Sequence, residues 1–292
     1  MFQVASHPSA FALHSHGQYM AHQQQHLPTQ SPAVQLPRTL SRPRFTDVSR
    51  DALIAASPDL ADVPPEYIRR GLRQNPTPML CGVNSVSLPP SLPRSQLTST
   101  IKAPLRPSSS EPAYPTHLLA ISPAKSSGSS SEQIHLFAIH SVVFAANCAR
   151  LPALPASSPS PSVNGNLTLP VLPFSLPSPA AFHVVHQYLY THRLDAVMTS
   201  LGFPSSPFIQ NLTHQTVRSA LQSPDTLHQL AVLLCQQTGG NLGKLTGLTV
   251  RVKDLWQDMV SLGLYEMELW DTLDLAWEIL LGSLNLAAVN QQ

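Results

Sequence analysis

The chain has 292 residues, room for one or two domains, yet 29 are proline and 18 of these fall within the first 130 positions, which excludes long regular elements from that half. Net charge is +1, spread unevenly as 11 Lys/Arg against 6 Asp/Glu in residues 1 to 130, 3 against 3 up to 240, and 3 against 7 beyond. A basic excess so dilute does not make a nucleic-acid patch, because neutralising phosphates takes clustered cations.

The cysteines, Cys81, Cys148 and Cys235, are odd in number and far apart, so they form neither a disulfide framework nor a zinc spacing, and they suit a reducing compartment. Residues 1 to 20 lack a charged segment followed by an apolar one, and the longest apolar stretch, Ile279 to Val289, is interrupted and too short to span a bilayer. A soluble intracellular protein, in the nucleus and/or the cytoplasm, is expected. Without a secretory signal, the Asn166-Leu-Thr168 and Asn211-Leu-Thr213 glycosylation patterns read as chance matches.

Residues 1 to 40 hold a His/Gln-rich tract, with His14, His16, His22 and His26 around Gln23 to Gln25. It reads as a solvated tail, since no Cys or carboxylate joins these histidines at ligand spacing. Residues 1 to 115 as a whole are rich in Pro, Ser, Gln and His and poor in apolar runs. Burial there cannot offset an ordering entropy of roughly 1 to 2 kcal/mol per residue, so a long, mostly disordered N-terminal arm is expected. Within it, residues 45 to 82 break the pattern. Asp47 or Ser49 can cap a short helix through Asp51, Leu53, Ile54 and Ala56, and Pro64-Pro65 can start a second through Tyr67, Ile68, Arg69 and Leu72. Tyr67, Arg69, Arg70, Leu72 and Arg73 then form either a docking face for an acidic partner or a solvated charge run on a transient helix. Pro89 to Pro115 returns to linker composition.

A folded body is expected over residues 116 to 288. Thr116 to Ser122 and Gln133 to His140 are apolar segments of strand length joined by a Ser/Gly-rich stretch, which gives a hairpin. Val142 to Cys148 is apolar all round and reads as a short buried helix ended by Pro152. After a Pro/Ser loop, Leu167-Thr-Leu169 reads as a third strand. Ser178 with Pro179 starts a helix through Phe182, Val185, Leu189 and Tyr190 that ends near His192, and Ser223 with Pro224 repeats the device through Leu234 and Cys235. Two further helices, Val252 to Val260 and Leu269 to Leu284, flank Gly263 and carry all three tryptophans, which are expected to complete the core.

No catalytic, cofactor or metal site is expected. Gly239 to Thr246 imitates a phosphate loop, but Leu245 stands where a Mg²⁺-binding Ser/Thr is needed and the preceding segment reads as helix, so it is an inter-helix turn. His183 and His186 share a helix face and His192 follows, with no third metal ligand close by in sequence. There is no Gly-x-Ser-x-Gly elbow, the Ser126 to Ser131 loop looks too mobile to hold a nucleophile, and Cys148 lies in an apolar run that makes a thiol inert. Asp254, Asp258, Glu266, Glu268, Asp271, Asp274 and Glu278 read as a solvated acidic face rather than paired catalytic carboxylates.

The run Phe137-Ala-Ile-His140-Ser-Val-Val143-Phe144-Ala145-Ala146-Asn-Cys148 resembles the strand-to-helix signature of BTB/POZ domains, and Phe182 to Leu194, with Tyr188, Leu189 and Tyr190, is similar to a later helix of that family. The resemblance implies an α+β BTB/POZ-like domain, a short sheet with a helical cluster, in which Phe137, His140, Ala145, Ala146, Phe182, Tyr188, Leu189 and Tyr190 are structural. It departs from the family at the Pro152 to Asn166 loop and at His192, where Gly is common. Taken whole, the chain resembles the clampless family of basidiomycete fungi, through Pro64 to Leu72, Pro76 to Gly82, Tyr114 to Ser122 and His140 to Arg150. That likeness implies a non-enzymatic regulator of sexual development and clamp-cell formation in the mating-type pathway. Its partners would be proteins, nuclear transcriptional regulators or a second copy in a homodimer, with no small-molecule substrate and no membrane. The BTB likeness alone would equally suit a substrate adaptor of a cullin ubiquitin ligase.

Overall fold

A computed structural model describes residues 36 to 290 except 108–110, 126–128, 130–131 and 155. The His/Gln tract and most of the Ser126 to Ser131 loop lie outside the described residues. The fold is α+β.

Its centre is the expected hairpin, β3 (His117–Pro123) against β4 (Gln133–Ile139), antiparallel with Leu119 opposite Phe137. The chain then makes α4 (Ser141–Asn147) and returns as β5 (Asn166–Leu176), parallel to β3 on the side away from β4. β5 runs far beyond the three residues expected because each half is paired on one side: Asn166 to Pro170 to another strand, Val171 to Leu176 to β3. Its Pro170 and Pro173 are tolerated because a strand half with one neighbour has an open side for a residue without an N–H.

Residues 118 to 121 of β3 are all buried, at 0 to 2 % exposure, so the sheet is covered on both faces. Leu119, Ile121 and Ile139 face the helical core that includes Phe144, Phe182 and Val185. Leu118, Ala120, Leu136 and Ala138 face the other way. That second cover comes from the segment expected to be a disordered arm.

Among the described residues from 36 on, the expected arm folds onto the rest of the chain, and the boundary expected at 116 runs through a single sheet. Helices α1 (Arg50–Ala56) and α2 (Pro65–Gln74) form where two short helices were foreseen, α3 (Thr77–Ser85), which was not foreseen, follows them, and two strands come next, β1 (Ser91–Pro93) and β2 (Thr100–Pro104). β1 pairs with β4 and β2 with β5, giving the order β1-β4-β3-β5-β2, so the arm supplies both edges. Val86, Leu92, Leu97 and Ile101 close the second face. The prolines that suggested a linker end both strands, a position edge strands accept. Gly82 is required where α3 meets the approach to β3: a Cβ there would lie 1.5 Å from the Ala113 carbonyl oxygen.

The C-terminal half is helical: α5 (Pro179–Thr191), α6 (Leu194–Leu201), α7 (Pro207–Gln210), α8 (His214–Leu221), α9 (Pro224–Gln237), α10 (Leu242–Leu262) and α11 (Met267–Val289). Ser178 and Ser223 cap α5 and α9 from their side chains, each followed by proline at the first helical position. Gly239 and Gly240 turn the chain before Asn241 caps α10, so the phosphate-loop imitation is an inter-helix turn only over its first residues, and Leu242 to Thr246, expected in that turn, open α10 instead. α11 is long and apolar enough to cross a bilayer, but 61 % of that window is buried within the fold, as suits a core helix.

The tryptophans do more than fill the core. Trp277 Nε1 donates to the Pro37 carbonyl (3.2 Å) and Trp256 Nε1 to the Ser41 carbonyl (3.0 Å), which ties residues 37 to 46 across α10 and α11 as a strap. Arg38 pairs with Glu278, and Arg42 with Asp271 and Asp274. The acidic face read as solvated is therefore largely engaged by arginines of the N-terminal segment.

Candidate functional site

The signature residues come together at the meeting of sheet, α4 and α5. Phe137 meets Phe182 edge-on with centroids 4.8 Å apart, and Phe144 lies 6.0 Å from Phe182. His140 is enclosed: its Nε2 lies 3.0 Å from the Ala113 carbonyl, its Nδ1 3.0 Å from the Tyr190 hydroxyl, and its backbone N–H donates to that same hydroxyl at 2.9 Å. The carbonyl can only accept, so Nε2 carries the proton and Nδ1 accepts from Tyr190. Burial lowers the His140 pKa, which keeps the ring neutral. His186 is held the same way, Nε2 donating to the Ala138 carbonyl (2.9 Å), and burial pushes it down to about 4. These rings are staples between strand and helix.

Ala145 and Ala146 are small for a visible reason. Val48, Leu53 and Ile68 of the N-terminal segment pack directly on them, and Arg69 donates to the Ala146 carbonyl at 2.9 Å. The helix expected to carry a docking face thus splits. Arg69 is 9 % exposed, Leu72 packs inward, and Arg73 pairs with Glu266 and Glu268, the latter at 2.8 Å. Tyr67, at 62 % exposure, and Arg70 point to solvent. Glu266 is nearly enclosed, and burial raises its pKa despite Arg73. Tyr188, expected as a core residue, is buried with its hydroxyl 3.4 Å from Glu266. Leu189 lies in the same core.

His183 and His192 do not join His186 as a metal set: His183 is exposed, and His192 is the C-cap of α5. Among the described residues, no three His, Cys, Asp or Glu side chains could hold a metal together. Cys148 is buried, and burial, with Glu266 nearby, holds its thiol protonated. Asp258 is fully buried on α10; its Oδ1 accepts the Ser178 N–H (2.9 Å), its Oδ2 has no partner, and burial raises its pKa to about 7.

The residues after α4 pair with the turn between α10 and α11. Tyr265 N–H donates to the Asn147 carbonyl (2.8 Å), Ala149 to Gly263 (3.1 Å) and Arg150 to Leu262 (3.0 Å). Gly263 takes φ +60 to cap α10, which favours glycine, and the Arg150 side chain lies against it. The strap closes over this junction, leaving a cavity of about 290 Å³ walled by Phe45, Tyr265, Met267 and Trp270 and rimmed by Arg42, Arg44 and Arg150. Phe45 meets Tyr265 edge-on at 4.8 Å, and the Arg69 guanidinium lies 3.8 Å from the centre of the Tyr265 ring. Of the cavity residues, sequence reasoning singled out Phe45 as the start of a change in pattern, Gly263 as the break between two helices, Trp270 as a core residue of the second helix and Glu266 as part of a solvated acidic face. The rest come from three segments with no shared periodicity.

Fold and site define an α+β protein whose N-terminal sheet-bearing part and C-terminal helical part share one core and meet at an open aromatic pocket. Two family models divide the chain in the same way: Clampless protein 1 N-terminal domain matches residues 43–177 and Clampless protein 1 C-terminal domain matches residues 193–292. The chain belongs to the clampless protein 1 family, and that membership points to a regulator of clamp formation. No curated protein and no solved structure matches it.

Proposed function

We propose that this chain is a non-enzymatic regulator that works through protein–protein contacts in the mating-type pathway leading to sexual development and clamp cells. The match of both clampless models, one to each part of the chain, carries the reading. The internal engagement of His140, His186 and Cys148 supports it, since these groups are spent on the fold. We read the block of hairpin, α4, β5 and α5 as BTB/POZ-like, because a hairpin, a short helix, a strand beside the first and an amphipathic helix follow in the order that resemblance implies. The protein would act in the nucleus and/or the cytoplasm, with other proteins as partners.

The test is genetic. A basidiomycete strain lacking this gene is mated and scored for clamp cells, then complemented with the wild-type chain. Loss of clamps with recovery on complementation is expected, and normal clamps in the deletion strain would overturn the reading. Cullin co-purification with the tagged chain, lost when the hairpin region is perturbed, would replace it with the ubiquitin-ligase adaptor reading.

A further inference from the structure

We infer that the junction pocket receives a short acidic segment of a partner protein, which inserts one aromatic or large aliphatic side chain between Phe45, Tyr265 and Trp270. The inference rests on the reading of the chain as an interaction protein, and adds the site and the chemistry of its occupant. Seven large hydrophobic side chains are exposed among the described residues, and three of them, Phe45 (67 %), Tyr265 (37 %) and Met267 (62 %), line this single cavity. Leaving apolar surface clustered in water is unfavourable, and such clusters rimmed by polar groups mark interaction sites. At about 290 Å³ the space suits one large side chain rather than an extended hydrophobic helix.

The charges select the partner. Four ionisable groups line the cavity besides Tyr265, and two are already paired: Arg42 with Asp271 and Asp274, Glu266 with Arg73. Arg44 and Arg150 remain, both exposed; neither forms an ion pair among the described residues, although Arg150 donates to the Val260 carbonyl at 3.1 Å. Arg69, behind the Tyr265 ring, gives its hydrogen bond to the Ala146 carbonyl. Two rim guanidiniums without an ion pair, Arg44 and Arg150, thus flank an aromatic floor backed by Arg69 and attract carboxylates beside an inserted side chain. The walls are preorganised by the tryptophan-held strap and by the backbone pairing at Tyr265, so little ordering opposes binding.

The probe is a labelled short peptide with a central Trp flanked by Asp and Glu, titrated against the full chain by fluorescence anisotropy. It is compared with one peptide in which Lys replaces the acids and another in which Ala replaces the Trp. Saturable binding of the acidic Trp peptide is expected, with at least tenfold weaker binding of the other two. Arg44→Glu and Arg150→Glu should each weaken it about fivefold or more at low salt. Arg44 is exposed and forms no ion pair among the described residues, so its variant should melt close to wild type; Arg150→Glu also loses the Val260 hydrogen bond and should melt somewhat lower while staying folded, and the double variant should prefer the Lys peptide. That exchange of preference is something a merely structural role would not produce. The inference is overturned if the acidic Trp peptide does not saturate by millimolar protein, if the Lys peptide binds the wild type equally well, or if sedimentation shows the pocket occupied by a second copy. Clamp formation in the deletion strain tests the wider reading separately, because a clamp requirement can hold while the pocket binds nothing.

Discussion

Asp258 should make the protein less stable as pH rises through the weakly acidic range, and Asp258→Asn should remove that loss. Its carboxylate is fully buried, with one oxygen bound to the Ser178 amide and the other without a partner. Burial lifts the pKa from 3.8 to about 7, a change of about three units, which at roughly 1.36 kcal/mol per unit sets a ceiling of about 4 kcal/mol. The sign follows from proton counting: between pH 4 and 7 the unfolded chain has released this proton while the folded chain keeps it, so stability falls as pH rises and levels off above 7. An effective dielectric above that of a dry interior reduces the expected difference to about 1 to 3 kcal/mol. Asn keeps the acceptor for Ser178 and does not titrate. Urea unfolding of both proteins at pH 4, 6 and 8 should therefore give nearly equal stability at pH 4 and a more stable variant at pH 8. Other titrating groups cancel in the difference. A difference that stays constant across this range would refute the account.

Arg73→Ala strands the buried Glu266 and should lower stability by about 2 to 4 kcal/mol, while adding Glu266→Gln should restore much of it in a double-mutant cycle read by thermal melting. Tyr190→Phe leaves the buried His140 amide without an acceptor; a loss of about 1 to 3 kcal/mol in denaturant midpoints is expected, with the Phe137–Phe182 contact intact. His192 has φ +49, the one positive value outside glycine among the described residues. His192→Val should destabilise by about 1 kcal/mol or more in calorimetry, and His192→Gly should be neutral or slightly stabilising, because the Cβ strain removed is offset by glycine's greater unfolded-state entropy.

The hairpin and the helices α4, α5, α9, α10 and α11 were legible because their cues are local: Ser-Pro starts at 178 and 223, a left-handed glycine at 263, apolar stripes, and strand-length runs at β3 and β4, whereas α6 to α8 were not read from the sequence. The clampless likeness was legible for a similar reason, since it lay in contiguous blocks that the family models also cover. Prolines misled at β1, β2 and the second half of β5, where a residue without an amide hydrogen is read as a breaker unless it is known that one side of the strand has no neighbour.

By itself, then, the sequence determined the central hairpin, the helices with local start and stop signals, and the family to which the chain belongs. Only the tertiary structure decided where residues 36 to 107 go. Their contribution is cover for the second face of the sheet and arginines for the acidic face of α11, contacts made across 190 residues or more in the case of Arg42 and Arg73. No window along the chain contains both partners of such a contact. The junction pocket is of the same kind: Phe45, Arg150 and Tyr265 become neighbours because two indoles hold the strap and three backbone hydrogen bonds hold the turn.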